Sequence, residues 1–113
     1  MELNQIGFFQ LDNLIQSRVQ FVLVNLGVDI KPWYKLMAAM HLQNVSVECT
    51  VENALSEVQA KKLPPHFAVV LLDRDGTVAV KLAAEFEKAG FINTYFVRGG
   101  FEGLVSERAA EGL

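Results

Sequence analysis

The sequence predicts an α/β fold in which a small, mostly parallel central sheet of about five strands is flanked by helices on both faces. Short apolar runs alternate with segments of helical periodicity along the chain, a pattern typical of parallel strands joined by crossover helices. The run at 67–72 is apolar without interruption, as expected of a strand covered on both faces. With 113 residues, the chain is expected to form one domain, 1–113.

The elements of the first half follow from local patterns. An edge strand is expected at 6–9, and apolar residues at helical spacing predict a helix around 11–15. The apolar run at 21–26 predicts the second strand. A short alternating strand at 45–48 and a helix at 51–60 complete this half.

Pro32 suits the first turn of a helix that runs to about Met40. The apolar stripe of this helix is expected to pack into the core, with a partner-binding face as the alternative. Tyr34 lies on the other side and is the better surface candidate. The stripe consists of Trp33, Leu36, Met37 and Met40.

The second half is organised around the strand at 67–72. The acidic loop at 73–76 cannot continue that strand, and a helix follows at 77–89, with a glycine placed to end it. A strand at 94–97 and a final helix after the glycine pair 99–100 complete the fold.

The loop after this central strand is the candidate functional site. A loop between a strand and a helix lies at the carboxyl end of the sheet, which is where open α/β folds bind ligands. The candidate residues are Asp73, Arg74, Asp75, Gly76, Thr77 and Val78.

Composition narrows the classes of partner and compartment. Thirteen acids against ten bases give a net charge of −3, which does not attract nucleic acid or anionic membranes. The single cysteine, Cys49, excludes an intramolecular disulfide and is consistent with a reducing compartment. The first residues lack the pattern of a signal peptide, and no apolar run approaches the roughly 20 residues of a membrane span. We therefore expect a cytoplasmic protein that binds neither nucleic acid nor membrane.

The order of elements and several local strings resemble the rhodanese-like (sulfurtransferase-type) domain over nearly the whole chain. The resemblance is strongest in VVLLDRDGTVAVKLAAEFEKAGFINTYFVRGGFEGL at 69–104. This string resembles the family's strand, six-residue active loop, helix, next strand and double-glycine turn. The most specific pieces are Ala89-Gly90-Phe91, Asn93, Tyr95 and Gly99-Gly100.

The chain departs from the family at the positions that carry its chemistry. Asp73 stands where active members have the nucleophilic cysteine, and Val78 stands where the loop ends in a basic residue or threonine. Asn25 and Gly27 match the Asp and Arg that follow the family's second strand. A carboxylate cannot attack a sulfane sulfur and hold it as a persulfide, because that step needs a thiolate. The resemblance therefore implies a catalytically inactive domain that acts as a binding or regulatory module for another protein, with no cofactor or metal.

A purely structural role is the leading interpretation of the two acids in the loop. Asp75 is expected to cap the following helix, and Asp73 to gain from the helix dipole and the loop amides. Arg74 and Arg98 are expected either to flank the mouth of the site or to pair with these carboxylates.

The alternative is a metal-assisted enzyme. The string Asp73-Arg74-Asp75-Gly76-Thr77 after an apolar strand also looks like the first motif of haloacid-dehalogenase-type phosphatases. That resemblance implies a nucleophilic Asp73, an acid/base Asp75 and Mg²⁺ between them. A third hypothesis is redox or persulfide chemistry at Cys49, although the sequence places no base beside it. His41 and His66 show no metal-ligand spacing and are expected in loops or at strand edges.

Overall fold

The computed structural model describes residues 4–113 as an α/β domain of five strands and five α-helices. A short 3₁₀ helix at Lys31–Trp33 precedes α2. The strands and helices, in chain order, are β1 (Gln5–Ile6), α1 (Phe8–Gln16), β2 (Val22–Asn25), α2 (Leu36–Val45), β3 (Ser46–Glu48), α3 (Ala54–Gln59), β4 (Val69–Leu72), α4 (Thr77–Lys88), β5 (Thr94–Val97) and α5 (Gly100–Ala110).

The five strands form one sheet in the order β1-β5-β4-β2-β3, and every pair is parallel. The predicted α/β class, with five parallel strands and helices on both faces, is confirmed. β4 lies at the centre of the sheet, where Leu71 pairs with Val24 on one side and with Phe96 on the other. The carboxyl ends of β2, β4 and β5 therefore meet at one edge of the sheet.

Each face of the sheet carries its own apolar core. Helices α1, α2 and α5 cover one face, and α3 and α4 cover the other. β4 contributes side chains to both cores. Val70 and Leu72 pack in the core under α1, α2 and α5, and Val69 and Leu71 pack in the core under α3 and α4. This two-sided burial explains why the strand is apolar without interruption.

The helix expected from Pro32 to Met40 is two separate elements. After the 3₁₀ turn, Tyr34 and Lys35 are extended, and Leu36 takes a left-handed conformation with φ of +53°. α2 therefore turns a different face toward the core than the expected helix would. It buries His41, Leu42 and Val45 in place of the expected apolar stripe.

The expectations for the side chains of this segment are therefore largely wrong. Leu36, Met37 and Met40 are exposed instead of packed in the core. Tyr34 is buried instead of exposed, and its hydroxyl donates a hydrogen bond to Asp12 Oδ1 at 2.8 Å. Burial and this carboxylate raise the pKa of the Tyr34 hydroxyl. Trp33 is half-buried and stacks on Phe101, with ring centroids 5.6 Å apart.

His41 is not a loop or strand-edge residue. It lies on α2, buried, with its ring Nε2 2.6 Å from the Val19 carbonyl oxygen. His66 is exposed between α3 and β4, as expected. Across residues 4–113, no helix combines the length and the apolar character of a transmembrane span.

Several expected boundaries also shift, and β2, β3 and β4 are each shorter than the strands expected at 21–26, 45–48 and 67–72. The first strand ends at Ile6, and α1 begins at Phe8. The helix expected at 51–60 begins at Ala54, because the Asn53 side chain accepts a hydrogen bond from the Thr50 amide at 2.9 Å and closes a turn first.

Candidate functional site

The loop between β4 and α4 lies at the carboxyl end of the central strand, as predicted. Leu72 ends the strand, and Gly76 is the N-cap residue of α4 with φ of +93°. This left-handed geometry turns the chain sharply enough for α4 to start directly beside the end of β4. The turn brings the side chain of Asp73 in front of the first amides of the helix.

The carboxylate of Asp73 occupies the amide-lined start of α4. The side chain is 3% exposed. Its Oδ1 accepts a hydrogen bond from the Gly76 amide at 2.8 Å, and its Oδ2 accepts from the Val78 and Ala79 amides, both at 2.9 Å. The first amides of a helix have no partner within the helix. Asp73 supplies an acceptor to these three amides with two oxygens of one side chain.

Asp75 is not the N-cap, contrary to the sequence-based expectation, since Gly76 occupies the N-cap position. Asp75 instead forms a small turn in which its Oδ1 accepts from the Thr77 amide at 3.0 Å and from the Thr77 hydroxyl at 2.7 Å. These two hydrogen bonds, with a smaller contribution from Arg74, lower the pKa of Asp75. Asp75 therefore provides the acceptor for the Thr77 amide, the one amide at the start of α4 that Asp73 does not reach.

A second helix start holds the same loop from the other side. The amides of Phe101 and Glu102, in the first turn of α5, donate to the carbonyl oxygens of Asp73 and Arg74 at 2.8 and 2.9 Å. Gly100 makes this approach possible. A Cβ at Gly100 would lie 2.6 Å from the Asp75 nitrogen and 2.7 Å from the Asp73 oxygen. Hydrogen bonds from α5 thus hold the main chain of the loop, and hydrogen bonds from the start of α4 hold the side chain of Asp73.

The two arginines near this edge do not form ion pairs with the loop acids. Arg74 is exposed, and its Nε lies 3.5 Å from Glu102 on α5. Arg98 follows β5 and pairs with Glu107 at 2.9 Å. The same Glu107 accepts a hydrogen bond from the Phe8 amide at 2.6 Å, so that Arg98 belongs to the junction of α1 and α5. Of the two arginines, only Arg74 belongs to the loop and lines the cleft beside it.

An open cleft of about 410 Å³ lies beside the loop. Asn25 does not contribute to it, because its side chain bonds both the amide and the carbonyl of Val28 at 2.9 and 2.8 Å. Val78, at the end of the candidate loop, is 38% exposed. The cleft is lined by Gly27, Val28, Asp29, Arg74 and Phe101.

Cys49 follows β3 at the same edge of the sheet, but β2 separates β3 from β4. The thiol is half-buried, and its Sγ lies 3.7 Å from the Val47 carbonyl oxygen. Burial, and then the negative charge of Glu57, raise the pKa of the thiol. A raised pKa lowers the fraction of thiolate, which is the reactive form. Within residues 4–113, no three His, Cys, Asp or Glu side chains gather as a metal site would require.

The sequence predicts the place of the loop and the contact of Asp73 with its amides, but it does not predict that Gly100 lets α5 approach the loop. The pair of glycines before α5 is a signal for a close approach of main chain to main chain. Sequence alone does not show which acid is the main acceptor at the start of α4. The path of the turn decides it, and it places Asp73, three positions before Gly76, in front of the amides.

No family model and no curated protein sequence matches the chain. A crystal structure of a protein from Lactobacillus plantarum is similar in fold, with 14% sequence identity and a TM-score of 0.59. The alignment covers 97% of this chain and 85% of that protein. At this identity the similarity concerns the fold alone.

Proposed function

We propose that this chain is a catalytically inactive rhodanese-like domain that serves as a binding or regulatory module for another protein. The observation that carries the proposal is the contact of Asp73 with three main-chain amides. In the family that the sequence resembles, a thiolate nucleophile would stand at this position. In this chain the carboxylate of Asp73 occupies that position and accepts the hydrogen bonds of the amides.

The surroundings of Asp73 support this proposal. Both carboxylate oxygens accept hydrogen bonds from α4, and the side chain is buried. An anionic substrate such as thiosulfate would meet a negative charge where the amides would otherwise attract it. Cys49 is a poor substitute nucleophile, because burial and the charge of Glu57 raise its pKa and so lower its fraction of thiolate.

The same contacts count against the phosphatase alternative. A nucleophilic carboxylate that also binds Mg²⁺ needs oxygens that face the substrate and the metal. In this chain, Oδ1 and Oδ2 of Asp73 both face the start of α4, and Oδ1 of Asp75 faces Thr77. A thermal-shift titration with millimolar Mg²⁺ is the direct test of this alternative, and we expect no shift.

Exposed groups around the loop give the proposed module a surface for a protein partner. Arg74, Asp75 and Val78 are exposed, and Arg74 also lines the open cleft. They offer both signs of charge and an apolar contact on a main chain that two helices hold in place.

The proposal is tested with thiosulfate and cyanide as substrates. We expect the wild-type chain to produce thiocyanate no faster than buffer. The matched variant is Asp73→Cys in a Cys49→Ser background. It places one thiol before the amides of Gly76, Val78 and Ala79, which should lower its pKa and raise its alkylation rate at pH 7 at least about tenfold over that of Cys49.

Turnover of thiosulfate by the wild-type chain, retained in Cys49→Ser, would contradict the proposed function. An Asp73→Cys thiol that reacts no faster than Cys49 would show that the amides do not activate a group at this position. In that case the loop would lack the thiol-activating environment of a rhodanese-like active site.

A further inference from the structure

Helix α2 presents three large apolar side chains to solvent. Leu36 is 85% exposed, Met37 60% and Met40 64%. Leu36 and Met40 are one helical turn apart and form a ridge, with Met37 beside it. We refer to these three side chains as the α2 ridge. Large apolar side chains that are exposed together mark interaction surfaces.

The rim of the α2 ridge is basic. A guanidinium nitrogen of Arg18 lies 3.3 Å from the Met37 sulfur, and the exposed Lys35 directly precedes the helix. The nearby Lys31 does not add to this rim, because it pairs with Glu48 at 3.7 Å. The chain as a whole carries a net charge of −3. The ridge therefore has positive neighbours on a protein that is otherwise acidic.

We propose that the α2 ridge docks an amphipathic helix of another protein, whose apolar stripe is bordered by Asp and Glu side chains. A ridge of residues spaced by four packs into the groove of a second helix. Methionine side chains adapt to an irregular partner surface. The positive rim selects and orients an acidic partner through charge complementarity.

Two other occupants suit this surface less well. In a two-fold dimer through α2, both copies would bring the same two bases, Arg18 and Lys35, to the interface, without the acidic partner that would complement them. Segments that bind anionic lipid carry clusters of about four to eight bases, whereas two border this ridge.

This inference rests on the proposed function, because it names the kind of partner that the module binds. The test places the photoreactive residue p-benzoylphenylalanine at position 40 of the full chain and, in a parallel sample, at position 78 in the loop. Both proteins are irradiated in an extract of the source cells, and the crosslinked peptides are sequenced by mass spectrometry. We expect the position-40 crosslink to identify a net-negative segment with apolar residues at helical spacing.

Surface variants show whether the ridge itself makes the contact. Leu36→Asn keeps the left-handed main chain, which asparagine tolerates, and removes the apolar side chain. We expect it to lower the crosslinking yield at position 40 at least about fivefold, as loss of a central contact residue does. Lys35→Glu should also lower the yield. The matched control is Ile92→Asn, which removes an apolar side chain that is 71% exposed elsewhere and should leave the yield unchanged.

The inference is overturned if position 40 crosslinks to a basic segment, to lipid or to a second copy of this chain, or forms no crosslink. It is also overturned if Leu36→Asn leaves the yield at the level of Ile92→Asn. A crosslink to another protein at position 78 alone would remove the α2 ridge as the docking surface and would leave the proposed function standing. Thiocyanate production by the wild-type chain would contradict the proposed function independently.

Discussion

Oδ2 of Asp73 lies 2.9 Å from the amide nitrogen of Ala79, six residues further along the chain. An ordinary N-cap side chain reaches amides two or three residues ahead. The longer reach in this loop comes from the left-handed Gly76, which folds the chain back over the end of β4. As a result, the strand and the helix are joined by a side chain as well as by the peptide backbone.

Loss of this carboxylate should destabilise the protein. We expect Asp73→Ala to lower the free energy of unfolding by about 2–4 kcal/mol, because three amides lose a charged acceptor near the core. Guanidinium denaturation followed by circular dichroism measures the change. Asp75→Ala is the matched control and should have a smaller effect, since its carboxylate is exposed. Equal effects of the two substitutions would contradict the role of Asp73 as the main acceptor for the amides at the start of α4.

Gly100→Ala should be among the most damaging single-methyl additions in the chain. Its Cβ would lie 2.6–2.7 Å from main-chain atoms of the loop, and the residue also has φ of +60°. We expect a loss of about 3 kcal/mol or more, because both the loop and α5 must move. Gly90→Ala separates the two causes, since Gly90 has φ of +102° but no atom within 4 Å of the added Cβ. That variant should lose only about 1–2 kcal/mol. Equal losses would mean that backbone strain alone is responsible.

Asp75 should make stability depend on pH in the acidic range. Its pKa in the folded protein lies below the ordinary value, chiefly because of the Thr77 hydroxyl and amide. The stabilisation is therefore complete above about pH 4, the usual pKa of aspartate, and disappears as the pH falls through the lower folded-state pKa. Denaturation of wild type and Asp75→Asn should differ at pH 7 and converge as the pH falls below the folded-state pKa of Asp75. Thr77→Val should reduce this difference, and an unchanged difference would show that the Thr77 hydroxyl does not lower the pKa of Asp75.

Leu36 should be a position at which substitution stabilises the fold. A left-handed conformation costs an ordinary L-residue roughly 1–2 kcal/mol, and asparagine tolerates it better. The side chain is exposed, so that Leu36→Asn removes little packing. We expect a gain of about 0.5–1 kcal/mol. Met40→Asn, in regular helix and similarly exposed, is the control and should give no gain. A loss in Leu36→Asn would mean that the side chain packs in solution.

Local pattern predicts the second half of the chain well. The expected strand at 94–97 coincides with Thr94–Val97, and the expected helix after Gly76 coincides with α4. In both cases an apolar pattern and an adjoining glycine specify the same boundary. These signals are local and do not depend on distant parts of the chain.

The segment around Pro32 shows where local pattern fails. Leu36 adopts a conformation that leucine rarely takes, and the hydroxyl of Tyr34 is held by Asp12 from another helix. The partners of Arg74 and Arg98 likewise lie on α5. Such contacts depend on how the elements pack against one another, which local pattern does not encode. The sequence could therefore locate the loop, but it could not determine which groups surround it.

The order of strands in the sheet also constrains how the chain acquires its fold. Gln5 pairs with Phe96 through β1 and β5, so that all the residues between them must leave the ribosome before this pairing can form. Until then, β5 has an open edge that another nascent polypeptide could join. The two residues of β1 thus cover part of an edge of β5 through which a newly made molecule could otherwise associate.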